Sequence, residues 1–94
     1  MVNNLPYSES LLLSDKNQKA SRIFSSSLNL DELKWHWDEE DRIIYIQKET
    51  DWLIQLDNEL PKAIKSGLFI PEGMWHRLIK GSGDLELVVE KIYK

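Results

Sequence analysis

Gly67-Leu68-Phe69-Ile70-Pro71-Glu72-Gly73-Met74-Trp75-His76-Arg77 is the stretch from which the fold can be read. A glycine turn, a short apolar strand, a Pro-x-Gly bend and a histidine follow one another without a break, so His76 opens the strand after the bend. The chain has two histidines. The other, His36, lies in Trp35-His36-Trp37-Asp38-Glu39-Glu40-Asp41-Arg42, forty residues earlier by numbering. On a strand, His36 and Asp38 at i and i+2 share one face.

Outward from these two stretches, the pattern is strand and turn. Arg22-Ile23-Phe24-Ser25 reads as a first strand, and Lys34 to Asp38 alternates. Ile43 to Ile46 is β-branched and aromatic, and Lys48-Glu49-Thr50-Asp51 reads as a polar hairpin turn before Trp52 to Leu56. Asp57 to Pro61 is a loop, Lys62 to Ser66 suits a strand or one helical turn, and Leu68 to Ile70 and Trp75 to Ile79 are strands. Gly81-Ser82-Gly83-Asp84 then reads as a hairpin connection into Leu85 to Glu90. Six or seven short strands, with no long amphipathic helix, indicate a sandwich or barrel. Asn29 could cap one helical turn over Leu30 to Leu33, with Asp31 and Glu32 in its first turn. Residues 1–19 are polar apart from Leu11 to Leu13 and read as an N-terminal arm, docked through that anchor or disordered, ahead of a barrel domain over 20–94.

Composition narrows the function classes. The chain of 94 residues suits one domain with one modest core. It lacks cysteine, which removes disulfides and thiolate metal sites and suits a reducing cytoplasm. A net charge of −4 with interspersed signs argues against nucleic acid as a partner. No apolar run reaches the ~18 residues of a membrane span, so no membrane partner is expected.

Pro71-Glu72-Gly73-Met74-Trp75-His76 resembles the second motif of the cupin superfamily, Pro-x-Gly-x-x-His, although Gly67 stands three residues before Pro71 rather than the commoner five. The resemblance implies an all-β fold: a small cupin-like β-barrel, the double-stranded β-helix or jelly roll, here with an extended N-terminal arm. Laid on the first cupin motif, His36 takes its first histidine, Asp38 its second, Arg42 its glutamate and Glu49 its glycine. Arg42 has no lone pair and cannot ligate. The candidate metal ligands are thus His36, Asp38 and His76, a two-histidine, one-carboxylate set suited to a divalent transition metal (iron, manganese, zinc or nickel) with open positions. A metal-free hydrogen-bonded network of His36, Asp38, Arg42 and His76 accounts for the same residues. A third reading has Arg42 and the histidines receive an anionic small molecule, with Gln55 a further candidate for that role.

Strand parity sends Trp35 and Trp37 outward if His36 and Asp38 face inward, and Trp75 and Arg77 away from His76. So much aromatic area on a small barrel calls for a cover, which makes Trp35, Trp37, Trp75 and Arg77 the candidate interface. A homodimer is the leading occupant, with another protein or the arm as alternatives, and one or two rings could instead belong to the core.

A longer string, from Trp35 through Trp52, Gln55, Asp57 to Pro61, Gly67, Ile70-Pro71, His76-Arg77 and Ile79 to Gly81, resembles short single-domain cupin-like proteins of tailed bacteriophages, notably those of marine cyanobacteria. It covers about Leu33 to Val89. Trp37 departs from it where a basic residue is expected, and Glu49 to Asp51 where a glycine turn is usual. The resemblance implies a viral protein acting in the host cytoplasm or associated with the virion. It points to His36, Asp38, Asp41, Arg42, Gln55, Asp57, His76 and Arg77, and it implies no reaction. The expected function is a binding or structural module that associates with itself or with a virion or host protein; the alternative is a small metal-dependent enzyme with Arg42 orienting an anionic substrate.

Overall fold

The structure is a computed structural model that describes residues 7–12, 18–27 and 33–93. Eight strands are present among them: β1 (Ser8–Leu12), β2 (Gln18–Phe24), β3 (Asp41–Ile46), β4 (Leu53–Leu56), β5 (Lys62–Ala63), β6 (Leu68–Ile70), β7 (His76–Ile79) and β8 (Leu85–Ile92). They form two antiparallel sheets, one ordered β1-β2-β8-β3-β6 and the other β5-β4-β7. No helix among the described residues is long and apolar enough to cross a membrane. The helical turn expected at Asn29 to Leu33 lies outside the described residues, Leu33 excepted, and so does most of the expected arm. Within that arm, Ser8–Leu12 pairs along β2 as the outer strand of the larger sheet, and the Tyr7 ring lies 5.0 Å from Phe24.

Alternation explains which sheet face turns inward. Leu85, Leu87 and Val89 of β8 are buried, while Glu86, Val88 and Glu90 between them are not. β4 repeats the pattern, with Ile54 and Leu56 buried between half-buried Leu53 and Gln55. These residues meet Phe24, Ile44, Ile64 and Ile70 in a single core that includes Trp52, which is fully buried.

Two expected hairpins are crossovers instead. The residues after β3 and those between β7 and β8 each join strands in opposite sheets, as the Pro71–Gly73 bend also does between β6 and β7. The two crossovers clasp each other. The Asp51 carboxylate accepts the Ser82 amide at 2.9 Å and its hydroxyl at 2.8 Å, and Trp52 Nε1 donates to the Gly83 carbonyl. A Cβ on Gly81 would overlap the Asp51 carboxylate and lie 2.7 Å from the Trp52 amide nitrogen, so the close approach requires glycine. By contrast β4 and β5 do form a hairpin, and Lys62–Ala63 settles the ambiguous 62–66 stretch as a two-residue strand.

The expected strand at Lys34 to Asp38 is a single bridge. His36 and His76 exchange both backbone hydrogen bonds, at 3.0 and 2.8 Å, and no further residue of the stretch pairs in a ladder.

Candidate metal centre

The Pro71–Gly73 bend is fastened before it delivers His76. Gly67 and Gly73 have φ of 89° and 77°, values that favour glycine. The Gly67 amide donates to the Ile44 carbonyl at 2.8 Å, the Gly73 amide to the Asp38 carbonyl at 2.9 Å and the Glu72 amide to Asp41 Oδ1 at 2.8 Å. Asp41, a position the sequence marked, is therefore a buried bracket that holds the bend.

Around that bracket the three candidate ligands converge. One ligand atom from each of His36, Asp38 and His76 lies within 4.8 Å of the others, with His36 exposed, Asp38 half-buried and His76 buried. The imidazole rings stand edge to face, 4.3 Å between centroids. His36 Nδ1 contacts the Lys34 carbonyl at 2.9 Å, and His76 Nδ1 the Met74 carbonyl at 2.8 Å. A carbonyl only accepts, so each Nδ1 carries a proton, and in the neutral ring that leaves Nε2 with the lone pair a metal ligand needs.

Asp38 completes the set. Its Oδ1 is 3.2 Å from Arg42 Nη2. Its Oδ2 is buried without a hydrogen-bond partner, 3.3 Å from His76 Nε2. That last pair lacks a shared proton while His76 is neutral, so a second proton on the ring or a bound cation must reconcile the two atoms. Burial opposes ionisation of Asp38, but His76 and the Arg42 guanidinium together outweigh it and hold the carboxyl below its usual range. Burial also lowers the pKa of His36 by more than the Lys34 carbonyl raises it, which keeps that ring neutral near pH 7. A buried carboxylate oxygen without a donor beside two correctly tautomerised imidazoles fits a divalent transition metal.

The other marked residues fall elsewhere. Arg42 joins the site but spends two of its nitrogens on carboxylates, Nη2 on Asp38 and Nε on Glu40 at 3.2 Å. Gln55 is not among the cavity-lining residues: it lies on the face of β4 opposite Ile54 and Leu56, accepting from Arg77 Nε at 2.9 Å and donating to the Glu59 carbonyl. Asp57 is exposed and meets Trp75 through the backbone. Trp35, Trp37 and Trp75 are 40%, 48% and 45% exposed, and Arg77 lies over the Trp35 ring at 5.2 Å.

The ligands open onto a cavity of about 570 Å³ whose walls include Phe24, Ile44, Ile54, Leu87 and Val89. One lining residue was missed from the sequence. Arg22 of β2 is 7% exposed and faces inward between Ala20 and Phe24. The signal was present, because strict alternation from Ala20 to Phe24 places an arginine on the apolar face.

No protein-family profile matches the sequence, and no curated protein matches it significantly. Solved structures do. A cupin domain from Bordetella pertussis Tohama I superposes with a TM-score of 0.67 at 13% identity over 100% of both chains. The lyase DddQ for DMSP from Ruegeria pomeroyi DSS-3 gives 0.77 at 14% identity, over 95% of this chain and 48% of that one. Hydroxypropylphosphonic acid epoxidase from S. wedmorenis gives 0.68 at 18% identity, over 93% and 51%. The chain thus spans about half the length of these two enzymes. With its two antiparallel sheets and crossover connections, it has the cupin fold, the double-stranded β-helix.

Proposed function

We propose that the protein is a small metal-dependent cupin that binds a divalent transition metal through His36, Asp38 and His76 and acts on a small anionic molecule held in the adjoining cavity. The observation that carries this reading is the Asp38 Oδ2 atom, buried without a hydrogen-bond partner and 3.3 Å from Nε2 of an imidazole whose Nδ1 sits on the Met74 carbonyl. A metal held by two histidines and one carboxylate keeps coordination positions open, at which it acts as a Lewis acid or redox centre. Arg42 fixes the Asp38 carboxylate and offsets its charge, Met74 and Lys34 fix the rings, and the apolar walls limit water around the reacting molecule. The cupin fold hosts a lyase and an epoxidase among the neighbours, so it does not choose the reaction.

Elemental analysis of untagged protein tests the site. Iron, manganese, nickel or zinc near one per chain, lost in the His36→Ala/His76→Ala double variant, is the expected result. A wild type that is empty and takes up no added metal overturns it.

A second reading is favoured by the three half-exposed tryptophans. In it the barrel is a module that pairs with a second copy, or with a virion or host protein if the phage resemblance holds for its origin. Trp37→Ala then lowers the sedimentation coefficient of the assembly while the fold persists, and an unchanged monomeric sedimentation in wild type and variant removes the homodimer.

A further inference from the structure

We propose that the outer face of the smaller sheet, where Trp35, Trp37 and Trp75 lie among Gln55, Asp57 and Arg77, is a carbohydrate-binding platform, and that its ligand is a short chain of β-linked pyranose rings. This gives the binding-module reading above a sugar in place of a protein as occupant, and it does not rest on the metal site.

Register lays the platform out. Ile54, Leu56 and His76 are buried, so the residues that alternate with them along β4 and β7 lie on the opposite face. The bridge between His36 and His76 carries that face one chain further, setting Trp35 beside Arg77 and Trp37 beside Trp75. One row thus reads Gln55, Arg77, Trp35, and the next reads Asp57, Trp75, Trp37. With strands about 4.8 Å apart and residues i and i+2 about 6.6 Å apart, the six side chains are rooted in a patch of roughly 10 Å by 7 Å, the scale of a disaccharide.

The polar groups are set in advance. Arg77 Nε donates to Gln55 Oε1 at 2.9 Å, Gln55 Nε2 donates to the Glu59 carbonyl at 3.0 Å, and Arg77 Cζ lies 5.2 Å from the centroid of the Trp35 ring. Side chains held this way lose little freedom when a ligand meets them. Pyranose chemistry matches both kinds of surface. Hydroxyls around the ring edge accept from a guanidinium and donate to the exposed Asp57 carboxylate, while ring C–H bonds, polarised by neighbouring oxygens, turn a positive surface to the negative face of an indole. In β-linked rings of the glucose type the substituents are equatorial, which leaves those C–H faces open for stacking.

Area and charge choose the occupant. The three rings are 40%, 48% and 45% exposed, which is roughly 330 Å² together at about 250 Å² for a whole indole side chain. A stable protein pair takes about 800 Å² from each partner, so these rings suit a small ligand better than a second barrel. Arg77 and Asp57 offset one another within the six, so the platform is matched to a neutral molecule rather than to an acidic or a basic peptide.

Fluorescence titration of the metal-free full chain with cellotetraose and with tetra-N-acetylchitotetraose tests the platform. Trp52 is fully buried, so a change in the emission reports on the three exposed rings. At least one probe should bind with a Kd below about 1 mM, weakened at least about tenfold in Trp75→Ala and unchanged within about twofold in Phe69→Ala, which removes a 48% exposed ring from the larger sheet. Saturable binding of neither probe overturns the proposal, as does binding that the two substitutions weaken equally. If circular dichroism shows that Trp75→Ala does not fold, Trp37→Ala, which changes a ring outside the eight strands, takes its place. A loss of about tenfold is again expected, and unchanged affinity overturns the proposal. Sedimentation at the titration concentration adds one further outcome: a dimer that Trp37→Ala dissociates gives the face to a second copy and overturns the proposal too. Because the protein is metal-free throughout, failure to take up metal leaves this result intact, and failure to bind sugar leaves the metal result intact.

Discussion

The two segments that supply the candidate ligands are built in opposite ways. Pro71 to His76 is bolted to the barrel: the Glu72 amide is held by Asp41, the Gly73 amide by the Asp38 carbonyl, and His76 begins a strand that pairs along β4. Leu33 to Asp38 pairs as a strand only through the bridge at His36, and His36 is exposed where His76 is 5% exposed. One side of the site is thus part of the core, and the other is a strap laid across its mouth. A site assembled this way can be well formed on one side and adjustable on the other.

The largest expected effect separates the two histidines. His76→Ala should remove metal binding and also destabilise the metal-free protein by about 2–3 kcal/mol, since it empties a buried position and leaves the Asp38 carboxylate unbalanced. His36→Ala should weaken metal by at least about a hundredfold yet shift metal-free stability by less than about 1 kcal/mol. Equal losses of denaturant stability in the two variants would erase the distinction. Next comes the bracket. Asp41→Ala leaves the Glu72 amide without its acceptor, so a loss of about 1–2 kcal/mol together with weaker metal binding is expected, although Asp41 is not a ligand.

Asp51 sharpens the comparison from a third place, the clasp between crossovers. Hydrogen bonds from the Ser82 amide and hydroxyl lower its pKa from the ordinary 3.8. A depressed folded-state value means the stabilisation is present above pH 3.8 and is lost as pH falls through the lower, folded-state value. Asp51→Asn should therefore melt below wild type at pH 7, with the gap closing in acid. A gap that is constant with pH would assign the effect to something other than the carboxylate charge. The smallest effect is dynamic: added zinc should slow amide hydrogen exchange across Trp35 to Asp38 more than across Arg77 to Ile79, where pairing with β4 already protects the backbone. The reverse ranking would make the strap the rigid side.

The barrel was legible because its punctuation is local. Gly67 and Gly73 occupy the left-handed backbone positions that their placement suggested, and the apolar alternation of β8 turns the expected face inward. The three candidate ligands could be named together because an i, i+2 pair and a later histidine require only parity and order. Connectivity was harder. Lys48 to Asp51 and Gly81 to Asp84 have hairpin chemistry, and nothing local distinguishes a turn that returns to its own sheet from one that crosses to the other. Gln55 and Arg22 show the same limit from two sides. Gln55 was chosen for its chemistry, yet its parity with Ile54 and Leu56 turns it outward. Arg22 was passed over as one polar residue in a strand, although its parity with Ala20 and Phe24 turns it inward.

The crossover connections also govern the order of events as the chain folds. Among the described residues, adjacent strands in sequence pair only at β1–β2 and β4–β5, so most of the barrel must close over long loops before it gains any sheet. His36 and His76 meet only at the end of that process, across some forty residues of intervening chain, and an unfolded chain holds no preformed nest for an ion. On the metal-binding reading proposed above, the barrel would therefore stand on its apolar core first and take a metal afterwards, as a folded apoprotein charged late rather than a chain that metal folds.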